Sequence, residues 1–390
     1  MKKIISLALL GATTSLMALG GEQAFLYKDP RIMGMGGANV AVGSYSTAIF
    51  SNPAGLMNIK KEEGFVVDIL SIGLGASGQI QNFSNDLNDA DGDSQKISDL
   101  LDQYSGEAFN LQVNNYSSVS KNSDSFAWSV GILAATDVTT MVHGNGSANG
   151  APVEVSGRGY GGLLLGAAKA YKTDIGTVDI GVGLKYITQT SFEGPLYIAD
   201  LQSNDAMTTL EDKYKKEASG FGLDLGLTYK PFESSIWHPA FGLSVLNIGS
   251  MNMDDNFGGQ PTTVNIGASI TPEVSFLEKL VLAIDYVDLF NENSVRVYTF
   301  NETDDSATYI DYEDNDPIKR LRLGAGFGLI NSKYFSTQLN IGLYQGAYTA
   351  GLDMEIAIIK LNFATYEEQI GTRSVDIPDR RYMAQIGIGW

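Results

Sequence analysis

The chain has 390 residues, 44 of them glycine and 19 tyrosine, with no cysteine and a formal net charge of −19. Lack of cysteine excludes disulfides and thiolate metal sites, and the acidic balance argues against binding a nucleic-acid backbone. No run of about 18 apolar residues occurs beyond the N-terminus, so the 44% hydrophobic content does not form membrane-crossing helices.

Residues 1–20 read as a secretory signal. Lys2 and Lys3 give the charged start, residues 4–10 the apolar stretch, and Ala18, Leu19 and Gly20 a small-residue cleavage region. Residues 29–59 follow, glycine-rich and without strand or helix period. Such a stretch has little capacity to bury a core of its own, so residues 21–62 are expected to pack as a compact plug inside something larger.

From residue 63 to 390 strand-like alternation dominates. The first run sets Leu70, Ile72, Leu74 and Ala76 against Ser71, Gly73, Gly75 and Ser77. The fifth sets Val178, Ile180, Val182, Leu184 and Tyr186 against Asp179, Gly181, Gly183, Lys185 and Ile187. The sixth alternates Phe221, Leu223, Leu225 and Leu227 with Gly222, Asp224, Gly226 and Thr228. A tenth places Leu321, Leu323, Ala325 and Phe327 opposite Arg320, Arg322, Gly324 and Gly326. With the intervening runs and a last one over 381–390, the pattern predicts about fourteen antiparallel strands.

Alternation alone also fits a soluble sandwich. The polar face is more telling, because it carries Asp179, Lys185, Asp224, Asp285, Arg320, Arg322, Asp353 and Glu355 among many glycines. Charges inward and apolar residues outward suit a wet or plugged lumen with lipid outside. Either arginine could then pair with Asp179, Asp224, Asp285, Asp353 or Glu355 to anchor the plug.

Connection lengths support the same reading. Long stretches (79–108, 141–158, 190–218, 291–317) and one of medium length (249–262) alternate with short ones (121–124, 173–174, 231–239, 271–276, 331–333), until 345–347 breaks the parity. Outer-membrane barrels alternate in this way because tight turns face the periplasm and long loops the exterior, which puts both termini on the periplasmic side. The expectation is an all-β transmembrane barrel in the outer membrane of a Gram-negative cell. Membrane lipid and lipopolysaccharide would surround it, and residues 94–104 of the first loop would form a short helix.

The final strand carries Tyr382, Ile386, Ile388 and the terminal Trp390 at alternate positions. This resembles the signal read by the outer-membrane barrel-assembly machinery, which would be a partner. The motifs PRIMGMGGANVAV and AIFSNPAGL resemble the N-terminal signature of the FadL superfamily of outer-membrane transporters. The resemblance implies a fourteen-stranded barrel with an N-terminal hatch. Asn52, Pro53 and Ala54 would belong to that hatch, with Gly34, Gly36 and Gly37 in its glycine cluster. Residues 366–371, 378–382 and 282–288 resemble the TraF-type branch, named for conjugal transfer, and the related PorV-like proteins.

What the resemblance implies is passive transport of a hydrophobic or amphipathic small molecule, without cofactor. Its alternative is a non-transporting component of a conjugation or secretion apparatus, with a partner from that machinery.

Two motifs suggest chemistry that their surroundings do not support. His143 near Ser147 loosely resembles an outer-membrane phospholipase, but the glycine-rich spacing supplies no group to orient a base, so no catalytic residue is expected. Asp89, Asp91 and Asp93 invite a calcium reading. Aligning Gly92 with the turn glycine of an EF-hand leaves Leu87 and Ser98 at the key ligand positions, so no metal site is expected beyond weak cation binding by acidic loops.

Overall fold

The computed structural model describes residues 25–59, 64–143, 152–202, 208, 212–232, 234–249, 260–301, 306–370 and 377–390. Fourteen strands close into one antiparallel barrel. They are β1 (Val66–Ser77), β2 (Ala108–Asn122), β3 (Phe126–Val142), β4 (Val153–Thr173), β5 (Gly176–Leu196), β6 (Lys215–Pro231), β7 (Ala240–Gly249), β8 (Thr263–Ile270) and β9 (Lys279–Tyr286). After a separate hairpin of β10 (Ser294–Asn301) and β11 (Ser306–Glu313) come β12 (Leu321–Asn331), β13 (Phe335–Tyr344), β14 (Ala347–Ile356), β15 (Ile359–Gln369) and β16 (Pro378–Gly389).

Every alternating run in the sequence is a barrel strand. Neighbours follow chain order except that β9 pairs with β12 across the hairpin, and β1 pairs with β16 to close the ring. The hairpin was not expected, because the stretch 291–317 read only as a long acidic loop. Arg320 also lies outside the strand it was assigned to. It ends a 3-10 turn (Ile318–Arg320), and β12 begins at Leu321.

Outward positions form an apolar belt: Ile132, Leu184, Phe221, Ile341 and Ile386 are all exposed. Tyr382 and Trp390 lie on this outer side too, and Trp390 exchanges backbone hydrogen bonds with Val67 of β1. The inward positions are mostly buried, many of them small or polar, with apolar residues such as Tyr116, Leu133 and Leu164 where the N-terminal segment packs. An apolar exterior around a polar interior is the arrangement of a barrel that crosses lipid with its strands. Among the described residues no helix is long and apolar enough to do so.

Above this belt the rule changes. In β4 the outward Leu163 is exposed whereas the outward Val155 is buried, and in β5 Tyr186 and Phe192 show the same contrast. The upper residues, with Phe109, Val142 and Val153, are covered by α2 (Ile80–Asp89) and α3 (Ser94–Gln103) of the first long loop and by α4 (Ile198–Gln202) of a later one. Beyond lipid, apolar side chains must find protein cover. The expected helix is α3, whose N-terminus is capped by the Asp93 carboxylate accepting from Gln95 N and Lys96 N. Its companion α2 was not foreseen because Phe83 and Leu87 are nearly alone in a polar run.

Candidate functional site

Residues 25–59 lie against the inward face of the barrel. They form a short helix α1 (Pro30–Gly34) and two 3-10 turns, Ser46–Phe50 and Pro53–Asn58. Each element starts where its sequence dictates. Proline occupies the first position of α1 and of the second turn, where its missing N–H costs nothing, and the residue before it caps the end. Asp29 accepts from Arg31 N at 3.0 Å, and Asn52 Oδ1 accepts from Ala54 N at 3.0 Å.

The Asn52–Pro53–Ala54 turn is pressed flat against β5 and β6. Asn52 Nδ2 donates to Val40 O at 2.6 Å and to Leu227 O at 3.1 Å, tying the segment both to itself and to the wall. A β-carbon on Gly181 or Gly226 of that wall would overlap Ala54 N or Asn52 Oδ1. Across the barrel, Gly34 stands against Gly351, where a β-carbon would come within 2.8 Å of the facing Cα. Thr349 of β14 accepts from Gly36 N at 3.0 Å and donates to Gly34 O at 2.8 Å. Gly181, Gly226 and Gly351 are thus places where the wall and the segment approach too closely for a side chain between them.

Side chains fill the rest of the contact. Leu26, Tyr27, Ile49 and Phe50 pack on Tyr116, Leu133, Leu164 and Ile187. Leu56, Met57 and Ile59 pack on Ala127 and Ala168. Full burial of a residue such as Ile49 or Leu56 contributes about 1.5–3 kcal/mol.

The expected inward charges divide by task. Asp285 Oδ2 accepts from Asn39 N at 2.6 Å and Val40 N at 2.7 Å, so a wall carboxylate holds two backbone donors of the segment. Lys185 pairs with Asp224 at 2.8 Å and donates to Asn247 Oδ1 at 2.6 Å, where a bulge interrupts the β6–β7 pairing. Lys230 pairs with Asp179 at 2.7 Å and reaches Asn58. Asp353 accepts from Asn340 at 2.7 Å, and Glu355 from Ser336 at 3.3 Å.

Among the described residues Arg320 pairs with none of the carboxylates foreseen for it, whereas the charge of Arg322 does bear on one of them, Asp285. Arg320 pairs with Asp288 at 3.4 Å and donates to Asp314 O. Arg322 donates to Lys319 O at 2.5 Å and lies over the Tyr344 ring at 4.1 Å. The strand pattern gave Arg320 no way to find Asp288, because both sit in the connections flanking the unforeseen hairpin.

A second charged group was missed altogether. Lys28 forms an ion pair with Glu368 of β15, which also receives Arg381 of β16 at 3.3 Å. Burial alone would lower the Lys28 ammonium, but the Glu368 carboxylate outweighs it and holds the group above the usual lysine range. Lys28 lies between the rings of Tyr344 and Tyr366, 5.8 and 5.6 Å from their centroids. Its only sequence signal was a lysine just ahead of the Asp29–Pro30 cap, which by itself points nowhere.

Between the segment and β12–β13 is a cavity of about 40 Å³. Tyr27, Ile32, Met33 and Phe50 give it apolar lining, Lys28, Asp29 and Arg322 charged lining, with Tyr344, Thr47 and Ser51 beside them. It holds about one water and no organic molecule of any size.

The sites set aside from the sequence carry ordinary structural contacts. His143 Nε2 lies 2.9 Å from Glu154 Oε2, and Ser147 falls outside the described residues, as do the signal residues 1–20. Asp93 caps a helix, and among the described residues no group of three or more His, Asp or Glu is placed to hold a metal.

Many solved structures share this architecture, three of them as follows. The Ralstonia pickettii toluene transporter TbuX matches with TM-score 0.54 and 14% identity, over 93% of this chain and 97% of that one. The monoaromatic hydrocarbon channel CymD matches with TM-score 0.52 and 12% identity, over 95% and 98%. A Pseudomonas aeruginosa FadL homologue matches with TM-score 0.50 and 10% identity, over 97% and 99%. No family model and no curated protein matches the sequence. At these identities the likeness establishes the fold, that of FadL-type outer-membrane barrels. All three neighbours are named for transporters or channels or for FadL, and none for a conjugation or secretion component.

Proposed function

We propose that the chain is an outer-membrane channel through which a hydrophobic or amphipathic small molecule passes without energy input, and that residues 21–62 are its plug. Residues 1–20 would be the export signal, and the end of the barrel bearing the short turns and both strand termini would face the periplasm. No catalytic or metal chemistry is invoked.

The observation that carries this reading is the interior of the barrel. A segment with no core of its own rests on facing glycines, apolar side-chain packing and hydrogen bonds inside an apolar-coated cylinder. The 40 Å³ cavity beside it mixes apolar side chains with the charged Lys28, Asp29 and Arg322, which suits an amphipathic molecule. Because the cavity is too small for such a molecule, passage requires residues 25–37 to shift. That shift separates Lys28 from Glu368 and Gly34 from Gly351. Gly34, Gly36, Gly37, Asn52, Pro53 and Ala54 therefore position or gate the plug, while Lys28 and Arg322 would meet the polar end of the ligand.

The test is uptake of long-chain fatty acids and of monoaromatic hydrocarbons into liposomes bearing the refolded protein. Uptake above that of empty liposomes, reduced when the plug is tied to the wall by a short bifunctional thiol reagent between cysteines placed at Lys28 and Glu368, whose side chains face each other, is the expected result. Uptake equal to empty liposomes for the whole panel overturns transport.

A further inference from the structure

The outer wall across β7–β9 and β12–β14 carries a groove of about 840 Å³, within the roughly 300–1,000 Å³ of small-molecule sites. Its floor includes Ala268, Ala325 and Ala350, and its sides include Phe241, Ile284 and Leu343. Outward alanines occur elsewhere too, as at Ala134 and Ala384, but here three of them, Ala268, Ala325 and Ala350, line one groove. The groove reaches from Phe241, near the turn end of β7, to Tyr348, near the loop end of β14.

At that loop end stands a cation. Arg380 of β16 reaches across β15, laying its guanidinium over the Tyr348 ring at 3.9 Å. It donates to Tyr348 O at 2.7 Å and to Glu367 at 3.1 Å. A guanidinium has five N–H donors and these bonds use two of them. The side chain keeps 19% of its surface open.

We propose that this groove binds one lipid of the surrounding membrane, its acyl chains along the alanine floor and its phosphorylated headgroup on Arg380. The proposal rests on the reading that the barrel spans a membrane. A lipid is the occupant that uses both features: a neutral hydrocarbon in transit has no group for Arg380, and a soluble phosphate has nothing to lay in the trough. Guanidinium and phosphate meet in a charge-assisted, bidentate geometry, which makes headgroup charge the discriminating property.

The experiment counts lipid retained by the intact barrel, by native mass spectrometry after gentle extraction from phosphatidylcholine vesicles doped with phosphatidylglycerol or with lipid A. Wild type is expected to retain one anionic lipid, favoured over phosphatidylcholine by roughly tenfold. Arg380→Gln keeps the lipid but loses the preference. Ala325→Phe, or Ala350→Phe if the first fails to fold, loses the lipid, whereas Ile132→Ala on the far wall changes nothing.

Equal retention by the groove-filling variant overturns the proposal. So does a wild-type barrel that leaves the vesicles as a lipid-free dimer, since a second copy then covers the groove. A barrel that never inserts into vesicles defeats the membrane reading itself, whereas one that inserts and retains nothing defeats only this inference.

Discussion

Besides its bonds to Asp285 of β9 and Thr349 of β14, the N-terminal segment meets two opposite stretches of wall that hold it by different forces. On β5 and β6 the contact is steric and neutral: glycine backbone against the Asn52–Pro53–Ala54 turn, with the Asn52 amide satisfying carbonyls on both sides. On β15 and β16 it is ionic, with Lys28 on Glu368 and Arg381 beside it. A close-packed contact is lost all at once, because no smaller displacement restores the fit. An ion pair backed by a second cation weakens by degrees, because Glu368 keeps Arg381 when Lys28 leaves. The contrast suggests that the Asn52 side is the hinge and the Lys28 side the part that yields.

The largest effect should come from filling the neutral side. Gly226→Val inserts carbon where Asn52 Oδ1 now stands, and overpacking of this kind costs about 1–3 kcal/mol or more. Urea unfolding in detergent should show the loss, and a cysteine placed at Ser51, in a chain with none of its own, should become open to labelling. An unaltered midpoint would mean that the turn does not bear on β6.

Next is Asp285→Ala, which leaves two buried N–H groups without their charged acceptor, at about 3 kcal/mol. Asn52→Ala should cost about 2 kcal/mol through the lost cap and the orphaned Val40 and Leu227 carbonyls. Both should expose the cysteine at position 51 before one introduced at Ile32.

Lys28→Met should cost least, roughly 1 kcal/mol, because Arg381 still compensates Glu368. Its labelling order should be the reverse, with position 32 opening first. The pH dependence has the same origin. Lys28 is raised in the folded chain, so its contribution is complete below the ordinary lysine pKa of about 10.4 and is lost as pH climbs through the higher folded value. Labelling at position 32 should be flat across neutral pH and rise only in strong alkali, a rise that Lys28→Met abolishes. If both positions open together in every variant, the segment moves as one piece and the distinction between its two sides falls.

The strands were legible because one face of each is greasy and the other is not. Val178 to Tyr186 against Asp179 to Lys185 is a period-two signal, and a strand wetted on one side by lipid and packed on the other cannot slip register without reversing both. The caps of the N-terminal segment were legible for a similar, local reason, since Asn52–Pro53 and Asp29–Pro30 set their own backbone.

What lay beyond the sequence was everything that depends on which residues meet across the barrel. Glycine in a strand could mean a wet lumen or a close approach, and only the position of Asn52 over Gly226 decided between them. A run of inward charges does not say that Asp285 will hold backbone amides, that Arg320 will turn to Asp288, or that Lys28 will find Glu368 340 residues away. Alternation is written into each strand separately, whereas these partnerships exist only once fourteen strands have closed around the segment that precedes them.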